Sequence, residues 1–139
     1  MPNNPYAAHL QASILTAEPV ELVRLLHRTA LESLQDARFH LAAGDIPGRS
    51  AALSKTINIV RELSLSVNHE SEPVLARTLV ELYDYIQRRL LAVHLEQSEA
   101  HLLEVADLLT TLCEAWEQAE VPSEGERPWV RIETIDAEV

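Results

Sequence analysis

The chain has 139 residues, a formal net charge of −11 and one cysteine. That length suits one domain around one core, and the acidity disfavours phosphate backbones and with them nucleic acid as a partner. The lone Cys113 excludes an internal disulfide framework and suits a reducing cytosol.

At 4% aromatic, with 3 glycines and an abundance of Leu, Ala, Glu and Arg, the composition favours helix. Residues 1–15 contain a fair helix start at Asn4-Pro5, and Tyr6, Leu10 and Ile14 share a helical face. An isolated helix this short is marginal in water, so it must dock or fray. We read 1–15 as a lid segment with Tyr6, Leu10 and Ile14 on its docking face. The same N-terminus has neither a basic n-region nor a long apolar h-region, so no secretory signal is expected. No apolar run is long enough to insert into a membrane.

Thr16 caps the next predicted helix, which runs from about 17 to 43 and stops at Gly44. Its stripe is Leu22, Val23, Leu26, Ala30, Leu34, Ala37 and Leu41, with Val20, Leu25 and Leu31 off it. Asp45 caps a helix reaching about Ser66. Leu53, Ile57, Val60, Ser64 and Val67 make its stripe, while Ala52, Ile59 and Leu63 form a second, narrower line. Pro73 opens a helix to about Glu96. Its stripe is Leu75, Leu79, Leu82, Tyr83, Ile86, Leu90 and Val93, with Asp84 and Arg88 spaced for a surface ion pair. Ser98 caps the last helix, which presents Leu102, Val105, Ala106, Leu109, Leu112, Cys113 and Trp116 on one face. Pro122, Gly125 and Pro128 then end regular helix.

Long helices with short connections place neighbours antiparallel. The expected fold is all-α: an up-down four-helix bundle over 16–119, with a short N-terminal helix and an irregular acidic tail over 120–139. In the tail, Trp129 to Ile135 alternates apolar residues in part and could dock as an extended strip.

Little points to catalysis. No Glu stands three residues before any of the six His, so the di-iron bundle spacing is missing. His101 and Glu104 show the reversed order, which is ordinary helix-surface spacing. The His27-Arg28-Thr29-Ala30 turn lacks the Lys of a phosphotransfer bundle. Cys113 sits on a core stripe, where a thiol is inert. There is no Gly-rich phosphate loop. We therefore expect no enzyme, no metal site and no cofactor.

Surplus apolar surface remains. Leu25 and Leu31, then Ile59 and Leu63, then Val80, Tyr85 and Leu91 cannot all face one bundle core by periodicity. They are the candidate partner groove. The competing reading is that loose packing angles bury them anyway.

The segment LYDYIQRRLLAV at 82–93 closely resembles the LYDYM-x-RRL-x-x-A signature of the flagellin export chaperones, the FliS family. LSKTINIV at 53–60, Asn4 to Ala8, Leu15 to Pro19 with Glu21-Leu22, and Glu104-Val105 with Glu114-Ala115-Trp116 resemble further family segments in the same order. The resemblance covers roughly 4–119. It departs at His27-Arg28-Thr29, where the family usually has a Tyr/Phe-Asp-Gly turn, at Ser71-Glu72-Pro73, and at Ala92-Val93-His94.

The resemblance implies a cytoplasmic chaperone that holds the disordered C-terminal segment of flagellin, prevents its premature polymerisation and delivers it to the flagellar type III export apparatus. Export-gate components are the further partners it implies. It also implies that the N-terminal segment covers part of the groove when no client is bound. The runner-up is a helical-bundle adaptor for another flagellar regulatory protein, which the identity of the client would distinguish.

Overall fold

Antiparallel helices need sharp reversals, and the chain supplies two at one end. The computed structural model describes residues 19–67, 70 and 72–118, and four helices hold nearly all of them: α1 Pro19–Ala43, α2 Ile46–Leu65, α3 Pro73–Glu96 and α4 Glu99–Gln118. After α1, Gly44 turns left-handed at φ 72°. Asp45 N–H then donates to the His40 carbonyl at 2.9 Å and Gly44 N–H to that of Leu41 at 3.2 Å, a Schellman closure. The Asp45 carboxylate at once caps α2, accepting from Gly48 N–H at 3.1 Å. Between α3 and α4, Gln97 takes the left-handed conformation at φ 54°, and the Ser98 hydroxyl accepts from His101 N–H at 3.2 Å. The predicted cap Thr16, the short N-terminal helix and the tail over 120–139 lie outside the described residues.

Each helix packs on two others in cyclic order, α1 on α2 and α4, α3 on α2 and α4, so α1 lies diagonally across from α3. The expected up-down four-helix bundle is the observed architecture. Leu22, Val23, Leu26, Ala30, Leu34 and Ala37 of α1 are buried as their stripe requires, as are Leu79, Tyr83, Ile86, Leu90 and Val93 of α3. The face of α4 is buried from Leu102 to Trp116.

Helix α2 corrects its predicted stripe. The line Ala52, Ile59 and Leu63, read as secondary, is in the core, while Ile57 packs at its edge and Ser64 is half-buried. The reason is the wedge position of α2 between α1 and α3, which buries a wider arc than one stripe provides. Inside that arc the Ser33 hydroxyl of α1 meets the Thr56 hydroxyl of α2 at 2.7 Å, so two buried polar groups satisfy one another.

Candidate functional site

The LYDYIQRRL segment lies on α3, and its polar residues divide by helical angle. Tyr83 faces inward and is buried. Its hydroxyl reaches His27 Nε2 on the diagonal helix at 3.0 Å. His27 Nδ1 lies 2.8 Å from the Val23 carbonyl, which can only accept. Nδ1 therefore carries the proton, and Nε2 accepts from the tyrosine. Burial lowers the His27 pKa to about 4, against the opposing pull of the Val23 carbonyl, so the ring is neutral at pH 7. Burial likewise drives the Tyr83 phenol well above its usual range, with a hydrogen bond from Trp116 acting the other way. The Trp116 ring lies 6.1 Å from that of His27, and its backbone carbonyl accepts from Arg24 Nε at 2.7 Å. One polar cluster thus joins α1, α3 and α4 inside the core.

The next tyrosine faces α4. Tyr85 Oη donates to the Glu104 carboxylate at 3.0 Å. Arg89 Nε bonds that hydroxyl at 2.9 Å and the Glu104 carboxylate at 2.9 Å, with the guanidinium 5.3 Å from the Tyr85 ring centre. The hydrogen bond to Tyr85 and the charge of Glu104 hold the Arg89 pKa above its usual value. On the outer face Arg88 pairs with Asp84 at 3.1 Å, as expected from their spacing. The twin arginines have different tasks: one closes a helix seam, the other decorates the surface.

The candidate groove residues are distributed around the bundle. Leu25, Leu31 and Val80 are partly buried and packed against the core. Tyr85 is half-buried in its seam. Ile59 and Leu63 are buried, so the inference that they stand off the core is corrected: core packing takes up both side chains. Leu91 stands 53% exposed. Six residues of helix separate Leu25 from Leu31, and six separate Tyr85 from Leu91, so each pair lies about 120° apart on its helix. Each pair therefore faces two different seams. Tyr6, Leu10 and Ile14, the lid face, lie outside the described residues.

Sequence reading missed other exposed apolar side chains. Phe39, Ile46, Leu95 and Leu103 join Leu91 toward the end of the bundle that carries both tight turns, with Leu95 80% exposed; Leu65 and Val74 lie toward the other end. The signal was present for Leu95, which is four residues past Leu91 and on the same line. Among the described residues no group of three or more His, Cys, Asp or Glu side chains could hold a metal, and no helix is long and apolar enough to cross a membrane. Cys113 is buried, and desolvation leads the causes raising its pKa, away from thiolate chemistry.

A family model described as flagellar protein FliS matches residues 2–123. The flagellar secretion chaperone FliS of Salmonella typhimurium is 36% identical over 110 residues, covering 78% of this chain and 82% of that protein. The flagellar secretion chaperone FliS of Bacillus subtilis is 33% identical over 116 residues, 84% of this chain and 86% of that one. The Escherichia coli protein of the same name is 30% identical over 111 residues, 79% and 82% of the two chains.

Proposed function

This chain belongs to the FliS family of flagellar secretion chaperones, and we propose that it binds the disordered C-terminal segment of flagellin in the cytoplasm, keeps that segment from polymerising, and supports its delivery to the flagellar type III export gate. The observation that carries this reading is apolar surface in excess of what the bundle needs. Among the described residues the core is continuous from Val20 to Trp116, yet seven large apolar side chains remain exposed. A disordered segment with apolar residues at helical spacing would gain from covering such surface.

In this reading Leu91 is the most exposed of the candidate groove residues and offers the client its area directly. Leu25, Leu31, Val80 and Tyr85 contribute at the rims of the seams, while Ile59 and Leu63 support the groove from within. The family's lid role falls on Tyr6, Leu10 and Ile14.

Calorimetry of the full chain with a peptide covering the last few tens of residues of the cognate flagellin tests the proposal. Saturable binding is expected, with a negative heat-capacity change from apolar burial. Absence of binding to that peptide, with tight binding to another flagellar regulatory protein, would replace the flagellin reading by the adaptor one.

A further inference from the structure

Salt screens charges that touch water far more than it weakens buried neutral hydrogen bonds, so the way a helix is fastened decides how salt acts on it. Two fastenings of α1 are neutral and buried: Ser33 to Thr56 of α2 at 2.7 Å, and His27 to Tyr83 of α3 at 3.0 Å. The rims of α4 are fastened by charge. Toward α1, Glu99 meets Arg38 at 3.4 Å and Glu117 meets Arg28 at 3.3 Å, all four side chains being exposed. Such pairs hold little each. Toward α3 the fastening is tighter and half-buried. Glu104 accepts from Tyr85 Oη at 3.0 Å and pairs with Arg89 at 2.9 Å, while Arg89 Nε reaches the Tyr85 hydroxyl at 2.9 Å. Each of these three groups touches the other two, so removing the arginine loosens the whole cluster.

The turn that joins α3 to α4 is the natural pivot. Gln97 holds φ 54° there and is the only non-glycine with a positive φ among the described residues. A side chain in that conformation is strained, and rotation at this residue relieves it. The inner face of α4, Leu102, Val105, Leu109, Leu112 and Trp116, is buried against the core. That apolar face keeps the helix closed in most molecules, and the charged rims adjust how often it leaves.

We propose that α4 is a charge-latched helix: it swings out about the Gln97 turn as one unit, leaving α1, α2 and α3 together, and the Tyr85–Arg89–Glu104 cluster is the latch that sets how often it opens. The three remaining helices keep the Ser33–Thr56 and His27–Tyr83 bonds, which involve no residue of α4. Opening bares the α4 face from Leu102 to Trp116 and the part of the core that it covers. Ionic strength therefore controls the exposure of apolar surface that the closed bundle hides. The device is independent of which client the chaperone holds.

The test is backbone amide exchange of the full chain at low and high sodium chloride, read residue by residue by NMR. Labelling of Cys113, the sole cysteine and buried on α4, gives a second measure. Four chains are compared: unaltered, Arg89→Gln, Arg89→Lys, and Arg88→Gln, which removes the same charge from the outer face of the same helix. Raising salt should speed exchange from Leu102 to Cys113 several-fold, while the amides of Ile59 and Ile86 hold their rates or slow. Slowing there reflects relief of the self-repulsion of a chain of net charge −11. At low salt Arg89→Gln should speed α4 exchange and Cys113 labelling roughly five- to tenfold and lose most of the salt response. Arg89→Lys, which keeps the charge but lacks the planar fork, should fall between, and Arg88→Gln should match the unaltered chain. Should Arg89→Gln fail to fold, the salt response of the unaltered chain and the Arg89→Lys comparison carry the test. Exchange in α4 that tracks that of α1 to α3 at both salt concentrations, or equal acceleration by Arg88→Gln and Arg89→Gln, overturns the latch.

Discussion

Acidification should weaken this fold through His27 in a way that can be worked out beforehand. The ring is buried and neutral, proton on Nδ1, with Nε2 accepting from Tyr83. Its folded pKa is about 4 against an ordinary 6.5. Between those values the unfolded chain binds more protons than the folded one, so stability rises with pH over that window and falls as pH drops through it. The full difference corresponds to roughly 3 kcal/mol, of which about 2 kcal/mol is lost between pH 7 and pH 5. Other groups titrate as well, so the measurement is a difference. Urea unfolding at pH 7, 6 and 5 is compared for the unaltered chain and His27→Gln, whose amide can still offer a donor and an acceptor but does not titrate. The variant should be less stable at pH 7 and flatter with pH by about 2 kcal/mol. In parallel, the His27 ring resonances should stay constant down to about pH 5. Equal pH slopes in the two chains would refute the argument and mean that His27 protonates as a solvated histidine does.

Removing the other half of that bond, Tyr83→Phe, should cost about 1–3 kcal/mol by leaving His27 Nε2 buried without a donor, and should move the His27 titration as seen by NMR. Ile86→Ala, at a site of zero exposure, should cost ~2–5 kcal/mol in chemical denaturation, and Leu91→Ala at an exposed one under ~1 kcal/mol; equal losses would contradict the assigned core face. Leu91→Ser should weaken binding of the flagellin peptide while the melting temperature stays within a degree or two, whereas parallel loss of both would make Leu91 structural. Deleting residues 1–15 should tighten peptide binding roughly five- to thirtyfold if a lid held by ~1–2 kcal/mol is removed. Weaker binding on deletion would instead place the segment in contact with the client.

The helices and their ends were legible because their determinants are local. Apolar spacing places Leu22 to Ala37 and Leu79 to Val93 on single faces, and Asp45, Ser98 and Gly44 declare the turns. What depends on neighbours was not legible. Ile59 and Leu63 look surplus on an isolated α2 and are core only because α1 and α3 flank it. The exposed apolar residues were mislocated for the same cause: periodicity says which residues leave one stripe, not which of them another helix will cover.

Polar residues on apolar lines were the larger loss. His27 lies four after Val23, and Arg49 lies four before Leu53, so both sit on core faces by spacing alone. The two resolve differently. His27 finds Tyr83 across the diagonal and gives up its charge, so the bundle closes around a neutral, hydrogen-bonded pair. Arg49 Nε, by contrast, meets no hydrogen-bond partner among the described residues. A pair that must align α1 with α3 specifies how they sit, since any slip of α3 along α1 separates Tyr83 from His27. The middle of the bundle is thus fixed by a satisfied pair, whereas the two-turn end carries exposed apolar side chains, Leu91 and Leu95 among them.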